Sequence, residues 1–296
     1  MRNPRPRSLQ ASFTQVSTTL GHNCTVAPKL RVREEKPLAC SANQGEHALM
    51  PSSGPPPAPV QVPAIIADLA RGQPLRPVWQ NELGGLTFRI GDGDRRLFAK
   101  WAPAGSGLDL TAEAVRLQWA GRFTSVPRVR EHGEDRDGSW LVTHGLPGES
   151  AVTPRWRAEP GTAVRALGEG LRALHERLPV ADCPFSWSVQ DRLARARLAG
   201  IQEPADLPAP PTTDRLVVCH GDPCAPNTLL HEDGTWSGHV DMGTLGVADR
   251  WADLAVVTWS TEWNYGPGWE GALLDAYGIA PDPYRTDFYR RLWSAT

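Results

Sequence analysis

The chain has 296 residues, 40% of them hydrophobic, and a formal net charge of −2, enough for one long domain or two small lobes with a sizeable core. The near-neutral balance gives no electrostatic basis for nucleic-acid binding, and no apolar run approaches the roughly 18–20 residues of a membrane span. Five cysteines without a CxxC pair argue against a zinc or redox centre and fit a reduced, cytoplasmic setting.

Residues 1–58 read as a separate, disordered, Pro-rich extension ending in Met50-Pro51-Ser52-Ser53-Gly54-Pro55-Pro56-Pro57-Ala58-Pro59, which no helix or sheet interior accommodates. From Val60 the pattern changes. Pro63 to Leu69 reads as a short helix. Thr87–Ile90 and Arg96–Trp101 read as strands around the turn Gly91-Asp92-Gly93-Asp94. Leu110 to Ala120 is helical, with Ala114, Leu117, Trp119 and Ala120 available for packing. Val126–Val129 and Trp140–Thr143 read as two more strands, joined by a polar turn from Glu131 to Gly138. Residues 59–145 therefore form a small β-rich lobe, and Pro147-Gly148 breaks the chain after it.

Residues 146–296 are mainly helical. Pro160 to Arg177 carries Val164, Leu167, Leu171 and Leu174 at helix spacing, and Ser188 to Leu198 is a second helix. A Pro-rich loop precedes strands at Leu216–Val218, Thr228–Leu230 and Trp236–Val240. Further helices begin at Ala252, Trp269 and Tyr284.

The chemistry concentrates in His220-Gly221-Asp222-Pro223-Cys224-Ala225-Pro226-Asn227 and, beyond a short hairpin, Asp241. A carboxylate to orient or deprotonate a hydroxyl, with an Asn and a second Asp as hard oxygen ligands, is what phosphoryl transfer with Mg2+ requires. Asp222 is the candidate catalytic residue; Asn227 and Asp241 are the candidate metal ligands. In the first lobe Lys100 ends an apolar strand and Glu113 begins the following helix, a pair able to aim an ammonium at triphosphate oxygens. Gly84-Gly85 lies where a phosphate-covering loop would offer backbone amides, although it matches neither GxGxxG nor the P-loop pattern. His220 is expected to brace the loop. Asp249 is expected to cap a helix, and Arg250 with Asp253 to form an internal pair that fixes the catalytic loop.

Together with Leu146-Pro147-Gly148, Leu174-His175, Cys183-Pro184-Phe185, Val240-Asp241-Met242-Gly243 and Ala252-Asp253-Leu254-Ala255, these motifs resemble the aminoglycoside O-phosphotransferases, a family with a protein-kinase-like fold. The resemblance covers roughly residues 75 to 293. It implies an α+β, two-lobed enzyme that uses ATP and Mg2+ to phosphorylate a sugar hydroxyl of a cationic antibiotic, with Thr143 and Gly145 in the segment that would bind adenine. Val217 to Asn227, with Pro223-Cys224 inside it, looks most like the branch acting on streptomycin at the 3''-hydroxyl. The 3'-type kanamycin and neomycin enzymes are the alternative, and kinases of macrolides, choline or homoserine a further one. Two departures stand out: Thr244 stands where the family usually has an arginine, and the last eight residues hold none of the acids with which the 3'-type branch commonly ends, which weakens the 3'-type reading. Glu203, Asp206, Glu262, Glu270 and Asp275 are candidate substrate-binding acids, and Trp263 and Trp269 candidate walls for the sugar. A monomer is expected, with a dimer as the alternative, and neither nucleic acid nor membrane as a partner.

Overall fold

The computed structural model describes residues 54–56, 59–202 and 207–296. The expected extension lies outside the described residues except for 54–56, where Gly54 exchanges backbone hydrogen bonds of 3.0 and 2.8 Å with Gln80.

Helix α1 (Ala64–Ala70) is followed by β1 (Leu75–Gln80), β2 (Leu86–Ile90), β3 (Leu97–Pro103), α2 (Leu110–Ala120), β4 (Val129–Glu134) and β5 (Gly138–His144). The five strands make one antiparallel sheet in the order β1-β2-β3-β5-β4. Side chains alternate across a strand. Leu97 and Ala99 of β3 therefore pack with Ile66, Phe88 and Ile90 in one cluster, while Ala102 joins the larger core that contains α2. The same alternation puts Lys100 on the α2 side. Asp109 caps α2, its side chain accepting from the Ala112 amide at 2.7 Å, which sets the first turn and so the position of Glu113.

Two strands depart from expectation. β1 was not anticipated: its Pro77 sits at a register shift against β2, as proline does in edge strands, and this breaks the alternation. β4 begins where the expected strand Val126–Val129 ends and occupies the first half of the expected polar turn. Its Val-Arg-Glu-His-Gly-Glu sequence alternates between half-buried and exposed positions at the sheet edge, where charge guards against edge pairing.

The second part runs through β6 (Glu149–Ser150), α3 (Pro154–Ala158), α4 (Pro160–Arg177), α5 (Val189–Leu198), β7 (Leu216–Cys219), β8 (Thr228–Leu230), β9 (Trp236–His239), β10 (Gly246–Asp249), α6 (Trp251–Tyr265), α7 (Glu270–Tyr277) and α8 (Pro283–Ser294). The short elements β6, α3 and β10 were not anticipated. Helix α6 is buried from Trp251 to Thr258 and forms the centre of this lobe, with α4, α7 and α8 against it. Small ladders, β7 with β10 and β6-β8-β9, frame the loop between β7 and β8. The expectation of an α+β molecule, β-rich first and helical afterwards, is met.

Candidate active site

β7 ends at Cys219, and the chain turns through Gly221 at φ +88°. A side chain there would be strained, and its Cβ would lie 2.5 Å from the Thr244 carbonyl oxygen. Thr244 therefore packs over the loop, its hydroxyl donating to the His220 carbonyl at 3.4 Å. The β8–β9 hairpin pairs Thr228 with His239, and the next residues in each direction continue the ladder, the Val240 amide donating to the Asn227 carbonyl at 2.9 Å. That register brings Asp241 beside Asn227.

The loop is held from beneath. Asp253 on α6 is fully buried and accepts from the amides of His220 at 2.6 Å and Gly221 at 2.9 Å. It also bonds His175 Nε2 at 3.0 Å, and His175 Nδ1 meets the Tyr277 hydroxyl at 2.9 Å. Burial would raise Asp253's carboxyl, but the His175 hydrogen bond and charge outweigh it and hold the group below its ordinary value. The expected Arg250–Asp253 pair is not formed: Arg250 Nε bonds Asp214 at 2.6 Å. Asp253 fixes the loop without Arg250, because a buried carboxylate facing two amides is satisfied by backbone and His175. Asp249 accepts from the amide of Trp251, the first residue of α6, at 2.9 Å, close to the expected cap. His220 braces the loop as expected, its Nε2 3.0 Å from the Val240 carbonyl and its Nδ1 accepting from the Asp222 amide at 3.2 Å. Ser260 adds a further anchor, its hydroxyl accepting from the Ala225 amide at 2.9 Å.

Asp222 Oδ2 accepts from Asn227 Nδ2 at 3.2 Å, and the same nitrogen donates to the Asp222 carbonyl at 3.0 Å. Oδ1 is buried and has no hydrogen-bond partner. Burial, then the charge of Asp241, pushes the Asp222 carboxyl up to about 7, against hydrogen bonds from the Cys224 amide and Asn227.

Across from the loop, Lys100 Nζ donates to Glu113 Oε1 and Oε2 at 2.7 and 2.9 Å and to Asp241 Oδ1 at 2.8 Å. Burial would lower the lysine, but the charges of Asp241 and Glu113 outweigh it and raise it above its ordinary value. Glu113 is buried and shifted up by that burial, opposed by Lys100. Lys100 in turn outweighs burial at Asp241 and holds it below its ordinary value. Asp241 has φ +65°, a left-handed conformation that Asp tolerates better than most residues. Five expected site residues, Lys100, Glu113, Asp222, Asn227 and Asp241, thus converge from both parts of the chain.

The remaining candidates divide. Gly84-Gly85 forms the β1–β2 turn, with Gly84 at φ +81°, but its amides are not open. Asn81 Oδ1 accepts from Leu83 and Gly85 at 3.1 and 2.7 Å, and the Asn81 carbonyl accepts from Gly84 at 3.1 Å. Thr143 is buried on β5, and the Gly145 amide is taken by the Arg96 carbonyl at 3.0 Å. The Arg96 guanidinium reaches on to the carbonyls of Leu146 and Gly148, fastening the connection between the lobes. Glu203 and Asp206 lie outside the described residues. Glu270 is paired with Arg290 at 3.0 Å, while Glu262 and Asp275 are exposed. Trp263 stacks on Trp259 with ring centroids 4.9 Å apart. Trp269 packs on the core beside Gly161 and is thereby occupied structurally.

The chain is similar to known enzymes in sequence and in fold. The Streptomycin 3''-kinase of Streptomyces griseus is 37% identical over 249 residues, 73% of this chain and 89% of that protein. The Aminoglycoside 3'-phosphotransferase of Streptomyces fradiae is 36% identical over 247 residues, 72% of this chain and 91% of that protein. An aminoglycoside phosphotransferase of Streptomyces rimosus, 28% identical, superposes with a TM-score of 0.62 over 78% of this chain and 98% of its own. The same S. rimosus enzyme in complex with ADP and streptomycin gives a TM-score of 0.58 at 28% identity, over 71% of this chain and 90% of that one. Residues 76–289 match the phosphotransferase enzyme family, and the chain belongs to that family, among relatives that are aminoglycoside phosphotransferases.

Proposed function

We propose that the protein is an ATP-dependent aminoglycoside O-phosphotransferase acting on streptomycin at its 3''-hydroxyl, and so an antibiotic-resistance enzyme. One observation carries the transfer chemistry: Asp222 Oδ1 is buried and unpartnered in a loop whose backbone is held by Asp253. Such an oxygen calls for a donor from outside the protein, and an acceptor hydroxyl supplies one. A carboxyl pushed up to about 7 is also matched to accepting a proton near neutral pH.

In this reading Asp222 orients the hydroxyl and takes its proton as the hydroxyl oxygen bonds the γ-phosphorus of ATP and the bond from that phosphorus to the bridging oxygen breaks, releasing ADP. Lys100, kept charged by Glu113 and Asp241, meets the phosphate oxygens. The donor set fits Mg2+: Asn227 commits its amide nitrogen to Asp222 and keeps its oxygen for a ligand, and Asp241 adds a carboxylate left half open to solvent. The ion, when held there, supplies positive charge that counters the triphosphate. Thr143 and Gly145 border the adenine in this proposal and Gly84-Gly85 covers the phosphates, its amides released from Asn81 on binding. The unit boundaries proposed are 59–145 for the nucleotide lobe and 146–296 for the catalytic and substrate lobe. The enzyme works in the cytoplasm, where ATP is available, as a monomer.

Pro223-Cys224 and the similarity to the S. griseus enzyme favour streptomycin. The nearly equal identity to the S. fradiae enzyme supports a second reading, 3'-type transfer. Labelled phosphate transfer to streptomycin and kanamycin, measured in parallel, separates them. Transfer to streptomycin is expected. Transfer to kanamycin alone would replace the subclass, and no transfer to any aminoglycoside would remove the substrate class.

A further inference from the structure

The helical lobe holds a concavity of about 240 Å³ that the phosphotransfer chemistry does not use. Its walls come from α4, the residue before β7, the start of α6 and the end of α7. Three arginines face into it: Arg172, Arg215 and Arg250. Glu176 is the acid on its lining, and Asp214 engages Arg250 through Nε at 2.6 Å. Among the described residues, no carboxylate forms an ion pair with Arg172 or Arg215. Arg172 Nη1 lies 3.5 Å from where a Cβ on Gly278 would stand, which places its head group at the pocket edge. Three guanidinium groups bordering one concavity offer an oxyanion with several charged oxygens bidentate, charge-assisted hydrogen bonds.

The inner wall is built from buried polar groups. Tyr277 and His175 are each 4% exposed, and their hydroxyl and Nδ1 are 2.9 Å apart. Both line the pocket beside Arg250, so an occupant there meets them directly. From His175 the chain of bonds continues to Asp253 and so to the amides of His220 and Gly221. An occupant that draws on Arg250 therefore touches the support of the loop carrying Asp222.

We propose that this pocket is a second anion site, separate from the one at Lys100. It takes a small phosphate-bearing anion, and its occupancy tightens the His220–Asp222 loop. The volume suits a diphosphate or the phosphate end of a small metabolite rather than a whole nucleotide.

Calorimetric titration of the full chain with inorganic diphosphate, and separately with ribose 5-phosphate, tests the site and tells the two sources apart. One equivalent of at least one of them is expected to bind the wild type and the Lys100→Ala variant. The Arg172→Ala/Arg215→Ala variant is expected to bind at least about tenfold more weakly with an unchanged melting temperature. No binding by either compound, or binding lost in Lys100→Ala and kept in the double variant, overturns the site. Hydrogen exchange across residues 218–224 reads the coupling. It should slow with the bound anion in wild type and stay unchanged in the double variant; exchange unaffected by a bound anion overturns the coupling.

Discussion

Lys100 is held by two carboxylates, Glu113 from the same small lobe and Asp241 from the other. Asp222 is held by backbone: its loop hangs from a buried carboxylate on α6 that grips two amides. The first arrangement is a set of charges able to exchange partners when a nucleotide arrives. The second is a rigid platform that fixes where the carboxylate stands while leaving one of its oxygens bare. Charge in the sheet lobe and backbone geometry in the helical lobe respond differently to mutation, and that contrast can be broken at specific points.

The largest effect on folding is expected at the platform. Asp253→Ala leaves the His220 and Gly221 amides and His175 without their acceptor, and should cost about 3–5 kcal/mol, read by denaturant unfolding. The same group sets an acid limit. Asp253's carboxyl is held below its ordinary value of 3.8. Its stabilisation is therefore complete above that pH and lost as pH falls through the lower folded value. The stability gap between wild type and Asp253→Asn should be constant near neutrality and shrink below about pH 4. A gap that widened on acidification would reverse the assignment.

On the charge side, Lys100→Met should leave the melting temperature close to wild type and reduce kcat/KM for the nucleotide about 10²-fold. A collapse in stability instead would mean that the lysine serves the fold. Gly221→Ala meets both the left-handed backbone and the Thr244 carbonyl, and about 1–3 kcal/mol of destabilisation is expected. Asp214→Ala removes a partly exposed ion pair with Arg250 and the acceptor of the buried Trp251 indole N–H, and should cost about 1 kcal/mol by thermal melting.

The contrast also explains what was legible in the sequence. Lys100 and Glu113 are neighbours in the chain, on a strand and the next helix, so alternation and a helix start placed both. Asp222, Asn227 and Asp241 were readable because one loop and one short hairpin join them. Asp253 as the loop's anchor was not. Beside Arg250 it looked like a local ion pair, and only the packing of α6 under the loop that follows β7 shows which partner wins. The open amides expected of Gly84-Gly85 failed for a similar reason: Asn81, a few residues upstream, folds back and satisfies them. β1 and β4 were lost or displaced because edge strands carry proline and charge that interrupt the pattern of a core strand.

In the proposed mechanism Asp222 acts on a bound hydroxyl rather than shaping the protein. The most direct measurement compares Asp222→Asn with wild type for labelled phosphate transfer from ATP to streptomycin, with nucleotide affinity measured in the same preparations. Turnover is predicted to fall about 10³-fold while nucleotide affinity stays within a few-fold of wild type. Turnover retained in the variant would contradict the central role given to this carboxylate.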